Sequence, residues 1–410
     1  MAKQWDCVIV GGGASGLAAA VFCAQKLGGE RVLVLEKGPR VGKKLLSTGN
    51  GTCNLSNVAA APPYYHGEDP AFVKAALERF SPRDAIAFFE SIGVACTVRE
   101  NGRVYPRCEQ AGAVLDCLRL TLDTLGVAVR CDTAVTAIIK EKDGFAVKTA
   151  AETVAAKHVM LAVGGAASPS LGGSADGYRL ASAHRKTPLF PAIVQVKTDT
   201  AFVRAMKGLR ADAAVAFVLD GRPLCAHTGE VLFTEYGLSG PAVMQISRVV
   251  GEWERHKRGT MTAVLDLLPD LSREQVMNEL RARRVWGRRG EDFLTGLLHK
   301  RIGQTVCRAA GISLAEATDC LSDAQLGAVC DTIKGFTVTV LGTQGFGGAQ
   351  VTAGGLATGE IHPETMESRL VSGLYILGEA MDVDGDCGGF NLQWAWSSAY
   401  AAACAVGGAR

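Results

Sequence analysis

The stretch from Asp6 to Glu36 constrains the fold more than any other, because it joins an apolar strand, a glycine turn, a helix start and a second apolar strand without a break. Asp6-Cys7-Val8-Ile9-Val10 reads as a buried strand. Gly11-Gly12-Gly13-Ala14-Ser15-Gly16 is the turn, Leu17-Ala18-Ala19-Ala20 opens a helix, and Arg31 to Glu36 returns as a strand. Gly11, Gly13 and Gly16 have G-x-G-x-x-G spacing in the context that gives it meaning. The first glycine allows a tight turn, the second lets backbone approach a pyrophosphate, and the third lets helix and strand pack closely, while the helix N-terminus offers free N–H groups. Glu36 stands about 20 residues further on, where a carboxylate accepts hydrogen bonds from ribose hydroxyls. The chain therefore carries a dinucleotide site on a parallel βαβ sheet.

A length of 410 residues predicts two or three domains. A formal net charge of +2 gives no electrostatic reason to expect nucleic acid or an acidic membrane as partner. The 13 cysteines stand singly, with no C-x-x-C and no metal-ligand spacing, so no metal is expected and the thiols fit a reducing cytoplasm. The polar start Met1-Ala2-Lys3-Gln4-Trp5-Asp6 runs straight into the first strand and leaves no room for a targeting segment, and no apolar run of about 18 residues predicts a membrane span.

Beyond Glu36, the segment Lys37 to Asn57 is long, polar and rich in glycine, with cations at Lys37, Arg40, Lys43 and Lys44; it reads as a loop wrapping the rest of a cofactor. Ser81-Pro82 caps a helix that Gly93 closes, Cys96 to Pro106 is a hairpin turning at Asn101-Gly102, and a helix is predicted from about Ala111 to Leu125. Val127 to Cys131 returns as a strand, and a hairpin turns at Asp143-Gly144. His158 to Val163 is another buried strand whose terminal Gly164-Gly165 lies on the same sheet edge as the first glycine turn.

From about Pro191 the texture changes to short alternating strands, among them Ile193 to Lys197 and Ala214 to Leu219, as in a small antiparallel barrel. Residues 270–334 read as helical, with capping boxes at Ser272 with Gln275, Ser313 with Glu316, and Ser322 with Gln325. The basic run Arg281 to Arg289 is read as a solvated helix face. Gly345 and Gly347 lack the third glycine, since Gln350 stands in its place, so no second dinucleotide domain is predicted. The chain closes with a strand at Gly373 to Leu377, then Gly378-Glu379, an acidic loop Asp384 to Gly389, and a helix from about Asn391 to Val406.

The turn Val8 to Gly16, the loop Lys43 to Asn54, Gly102 to Pro106, the segment Gly229 to Ala242, Thr352 to Gly355 and Gly373 to Gln393 together resemble the BaiN-like, or aminoacetone-oxidase-family, flavoproteins of the two-dinucleotide-binding-domains superfamily. Thr52 departs from the pattern, in which arginine is common. The resemblance implies an α/β fold: a Rossmann-like FAD-binding domain from both chain ends (1–190 and 345–410), interrupted by an insert at 191–344. In the insert a β-barrel would occupy about 191–268 and 335–344, and helices about 269–334. It implies FAD held by Gly11, Gly13, Ala14, Ser15, Gly16, Glu36 and Lys37 at the adenosine and pyrophosphate end. Lys44, Leu45, Ser47, Gly49, Asn50, Gly51, Cys53, Asn54 and Gly164 would follow towards the flavin. Gly378, Glu379 and Asp382 would hold the ribityl part, and Gly389, Phe390, Asn391 and Leu392 would present the last helix to the ring. Glu235 and Tyr236 are the candidate catalytic proton donors.

The function so implied is an NAD(P)H-dependent flavin reductase of a conjugated hydrophobic ketone, such as a 3-oxo-enoyl steroid or bile acid, with NAD(P)H as transient electron donor and a small molecule as substrate. An oxygen-dependent oxidase of a small amino ketone shares the fold. A non-catalytic FAD-containing interaction protein is the reading from another class. Cys53 and Cys387 invite a disulfide-reductase reading, which the absence of a spaced cysteine pair argues against.

Overall fold

The computed structural model describes residues 3–408, so Met1 and Ala2 of the polar start and the final Ala409-Arg410 lie outside the described residues. The chain divides into two compact units, one running to Phe190 and resuming at Gln350, the other spanning Pro191–Ala349.

The first unit is built on a Rossmann-type sheet. Strand β1 (Gln4–Val10) is buried from Trp5 onward, as a continuous apolar run must be in a parallel sheet covered on both faces. Helix α1 (Ala14–Leu27) follows with Ser15 to Ala24 buried, and its run of alanines lets it lie close against the last helix, α2 (Phe390–Val406). On either side of β1 run β2 (Val32–Leu35) and β3 (Thr153–Leu161), both parallel to it, and β4 (Leu374–Ile376) is parallel to β3. A short strand at Ala128–Arg130 extends the sheet beyond β2. Val10 faces both Leu35 and Leu161 in register, and Leu161 faces Ile376, so the carboxyl ends of four strands are flush. The amino half of β3 pairs instead with an antiparallel hairpin, Val135–Glu141 and Gly144–Thr149. The helix Ala111–Leu125 and the hairpin Cys96–Val98 with Arg103–Pro106 form where the sequence predicts them.

The second unit contains a closed six-strand antiparallel barrel: Val196–Thr198, Gly237–Ser239, Arg222–Phe233, Arg210–Leu219, Met261–Asp266 and Phe336–Thr343 in spatial order. Alternation puts Val215, Phe217, Val231, Phe233, Ala263 and Leu265 inside, in one core with Val276, Leu280, Leu326 and Ile333 of the unit's helices. Two predicted capping boxes are present: Ser272 accepts from Gln275 N–H, and Ser322 from that of Gln325. The third is not. No helix starts at Ser313, because Gly311 at φ +77° ends the preceding helix and the next residues are tied down as a loop: Glu316 accepts from Gly290, and Thr318 donates to Arg288. The first barrel strand likewise starts at Val196 rather than Ile193, since Ile193 takes a left-handed φ of +49°. Among the described residues no helix is long and apolar enough to cross a membrane.

Candidate functional site

The flush strand ends of the first unit bring together four segments distant in sequence: the Gly11–Gly16 turn, Glu36 after β2, Gly164-Gly165 after β3, and Gly378-Glu379 after β4. The edge where they meet is where a doubly wound sheet binds ligands.

The three glycines of the turn are required for different reasons. A Cβ on Gly11 would stand 2.3 Å from the Ala162 carbonyl oxygen, and one on Gly16 1.9 Å from that of Gly11, so both are demanded by the protein's own backbone. At Gly13 no atom lies within 4 Å of that position. Nothing in the fold forbids a side chain there, and the bare backbone is left for something to approach. Gly13 caps α1 without any side-chain hydrogen bond, and the first turn has no acid, so the N–H groups of Ala14, Ser15 and Gly16 remain available to an anion. Glu36 has a second task beyond the one read from its spacing. Its carboxylate accepts from Gly12 N–H and from Gly38 N–H, each at 2.7 Å, and so braces the turn while holding its oxygens in one pose. Lys37 is exposed beside it.

The loop after Glu36 turns sharply where small residues were expected. Gly49, Asn50, Gly51 and Cys53 all have positive φ, and two of these are not glycine, a concentration of backbone strain of the kind found at ligand sites. Leu45 is buried beneath the loop and Ser47 is exposed on it. Burial pushes the Cys53 thiol up to about 12. Cys387 is raised by the same cause, and all thirteen cysteines are free. Neither thiol is a ready nucleophile, which agrees with setting the disulfide chemistry aside.

Lys44 reaches across 335 positions of sequence to form a 2.8 Å ion pair with Glu379, whose other oxygen accepts from Thr352 N–H at 2.9 Å. Gly378 has φ +57°, and its Cβ would stand 3.0 Å from Ser15 Oγ, so the return segment sits directly against the start of α1. Asp382 is buried, accepts from Glu68 N–H at 3.0 Å, and has its carboxyl raised chiefly by burial.

At the far end, α2 begins after Gly388 and Gly389, with φ +130° and +103°. Asn391 uses its whole amide on the preceding loop, accepting from Gly385 N–H at 2.8 Å and donating to the Gly385 carbonyl at 2.7 Å. Its backbone N–H, with those of Phe390 and Leu392, remains at the positive end of the helix. Phe390 is buried and stacks on Tyr64 at 4.7 Å.

A ribbon that sequence reasoning missed lies beside this loop. Tyr65–His66 pairs antiparallel with Asp384–Gly385, and His66 Nε2 stands 2.7 Å from Asp386 Oδ1 across 320 positions of sequence. The sequence contained no local signal for it, since neither partner has a periodic or motif relation to the other.

The sequence's candidate acids lie in the other unit. Glu235 is exposed and ion-paired with Lys207, which holds its carboxyl below the usual range; Tyr236 is half-buried and offers its carbonyl to Thr198 N–H. An ionised, salt-bridged carboxylate is a poor proton donor at neutral pH.

The chain matches the HI0933-like protein Rossmann domain over residues 5–405. It belongs to that family. The 3-dehydro-bile acid Δ(4,6)-reductase of Clostridium scindens is 38% identical over 398 residues, 96% of this chain and 97% of that one. The ribosomal RNA dihydrouridine synthase of Escherichia coli is 33% identical over 407 residues, 98% of each. Among solved structures, the 3-ketosteroid Δ1-dehydrogenase of Sterolibacterium denitrificans superposes with a TM-score of 0.53 at 14% identity, over 99% of this chain and 100% of that one, and shares the fold.

The HI0933-like chain is an FAD-dependent oxidoreductase, and its residues fit the cofactor. Besides Gly13, the positions of Gly51 and Gly164 also have no atom within 4 Å of where a Cβ would stand. Of the four buried side-chain polar atoms without partners among the described residues of this unit, two border the cradle: Asn54 Oδ1, beside Gly389 at the start of α2, and the Tyr178 hydroxyl, which lies in the field of Glu379 and Asp382; the others are Nδ1 of His158 and His184. An orphaned buried acceptor and phenol carry a penalty of about 1–3 kcal/mol each, which a hydrogen-bonding ligand removes.

Proposed function

We propose that this HI0933-like enzyme reduces a carbon–carbon double bond conjugated to a carbonyl, using NAD(P)H as electron source, with a hydrophobic 3-oxo-enoyl steroid as the leading substrate class. The observation that carries the reading is the 38% identity to the bile acid reductase along nearly the whole of both chains. The activity named for the E. coli relative supports the same chemistry from another side, because making dihydrouridine saturates a double bond conjugated to the uracil carbonyl.

Bound FAD supplies the hydride in this chemistry. The protein's part is position and field. The free N–H groups at the start of α1 and the bare backbone at Gly13 receive the pyrophosphate, and Glu36, held by its two backbone donors, receives the ribose. The Lys44–Glu379 pair fixes the loop and the return segment around the middle of the cofactor. The N-terminus of α2, with Asn54 Oδ1 beside it, faces the ring, and its N–H groups and positive pole favour negative charge there.

RNA as substrate is the second reading, favoured by the E. coli and Haemophilus influenzae synthases. The basic run of the second unit lends it little support, because most of its charge is already spent within the unit. Arg281 and Arg284 pair with Asp323 at 3.2 and 2.8 Å, Arg283 with Glu279 at 2.8 Å, and Arg289 with Glu291 at 3.5 Å. We place the reaction in the cytoplasm, where thirteen free thiols remain reduced. Full-length likeness to two reductive enzymes leaves no role for a non-catalytic flavin carrier.

One anaerobic experiment tests the reading. The yellow protein is bleached with NADH or NADPH and then offered a Δ4-3-oxosteroid, a uridine-containing ribosomal RNA transcript, or air. Return of colour with the steroid supports the reading, return with RNA alone replaces the substrate class, and return with air alone supports the oxidase. Failure of either nucleotide to bleach the flavin removes NAD(P)H.

A further inference from the structure

We infer that His66, oriented by Asp386, is the proton donor that completes the reduction. This rests on the function proposed above. Adding a hydride to the β-carbon of a conjugated carbonyl moves the π electrons onto the oxygen, and the resulting enolate must take one proton at its α-carbon. The hydride, which carries the two electrons of the reduction, would come from the reduced flavin, itself recharged by NAD(P)H. A positioned acid delivers that proton faster than solvent does.

One group at the ring end has the geometry of a proton donor. Reduction takes place at the ring end of the cradle, and the loop entering α2 there is Asp386-Cys387-Gly388-Gly389. His66 is clamped to that loop: its ribbon pairs it with Asp384, and Asp386 N–H donates to the Tyr64 carbonyl at 3.0 Å. Its side chain is 37% exposed, Nε2 is engaged with Asp386 at 2.7 Å, and no hydrogen-bond partner of Nδ1 is found among the described residues. One nitrogen is therefore held and the other is open, the arrangement in which a carboxylate orients an imidazole.

Most neighbouring groups are committed elsewhere, and the partnerless Tyr178 hydroxyl is pushed up by burial and so is a weaker acid than an imidazole. Glu68 is ion-paired with Arg185, Glu379 with Lys44, and the Tyr65 hydroxyl donates to the Phe390 carbonyl at 3.0 Å. Asp382 is buried on Glu68 N–H, Cys387 is a raised thiol beside the permanently charged Arg103, and Asp384 is buried opposite His66. An imidazole is also the side chain whose ordinary range lies nearest neutrality. Donation from Nδ1–H leaves His66 neutral with its remaining proton on Nε2, facing Asp386, and solvent restores the other.

The test uses holoprotein. In unsubstituted enzyme, 15N imidazole shifts of neutral His66 should report the Nε2–H tautomer, and the Nδ1–H tautomer would overturn the assignment without any variant. His66→Asn and Asp386→Asn should keep their flavin and be bleached by NAD(P)H or dithionite at the normal rate. Reoxidation by the Δ4-3-oxosteroid should slow by about 100-fold or more in His66→Asn and by about 10-fold in Asp386→Asn, which should also lose the tautomer preference. Reoxidation of His66→Asn within about threefold of normal would remove the dyad while leaving the proposed reaction intact. Failure of the unsubstituted enzyme to be reoxidised by any conjugated carbonyl would remove both.

Discussion

The two ends of the cofactor cradle are built on opposite plans. The Gly11–Gly16 turn is shaped largely by neighbours in sequence, from Gly16 to the Gly11 carbonyl and from Gly12 N–H to Glu36, with Ala162 and Gly378 closing on it from the ends of distant strands. The loop Asp384–Gly389 takes its shape from residues more than three hundred positions away: Ser56 beneath Gly389, Asn57 on the Gly388 carbonyl at 3.0 Å, and His66 on Asp386. A site that binds the constant part of a cofactor can be written locally as a motif. The end where we propose the chemistry takes place draws groups from several directions, so tertiary contacts assemble it.

The largest expected effect separates two glycines of the first end. Gly16→Ala places a methyl on the Gly11 carbonyl and is expected to cost more than about 4 kcal/mol, read as loss of the cooperative thermal transition. Gly13→Val places a Cβ where no protein atom lies within 4 Å, so the fold should survive while flavin content falls by about 10-fold or more; full retention of flavin would mean that this turn is not the pyrophosphate site. Next comes the link between the two ends. Lys44→Met leaves the Glu379 carboxylate without its cation and should cost about 1–2 kcal/mol in cofactor affinity, measured by flavin release in urea.

A smaller effect should appear in the pH dependence of the second end. Burial raises the Asp382 carboxyl, so the folded chain holds that proton to a higher pH than the unfolded chain does. Its contribution to stability is fully present below the ordinary carboxyl range and is lost as pH rises through the folded value. Melting of Asp382→Asn across pH 4 to 7 should accordingly fall less on the way up than that of the unsubstituted protein. A steeper fall in the variant would contradict the assignment. The smallest change is expected at Glu235→Gln. Its exposed carboxylate is already ionised and paired with Lys207, so it has no proton to give, and the reoxidation rate should stay within about twofold. A tenfold loss would restore Glu235 as the acid.

Much of the cradle was legible because periodicity and glycine spacing are local properties. β1, α1, Glu36 and the helix Ala111–Leu125 follow directly from apolar runs and turn chemistry. Ser313 shows how such reasoning fails: Ser-x-x-Glu is a valid cap signal, but the Glu316 carbonyl is engaged by Gly290, and a long-range backbone bond outweighs a weak local preference. Glu235 and Tyr236 were singled out because they are ionisable, whereas their availability depends on partners such as Lys207 that spacing does not reveal.

By itself the amino-acid sequence determined that this protein has a glycine turn in a βαβ unit, an acid at the end of the second strand, and a texture change from sheet-and-helix to barrel, since each depends on residues within a few turns of one another. Only the tertiary structure decided that Lys44 meets Glu379, that Asn54 Oδ1 and the Tyr178 hydroxyl are left without partners, and that His66 meets Asp386. Those meetings are set by strand register and helix packing, which bring side chains within hydrogen-bond reach across hundreds of residues and carry no trace in local composition.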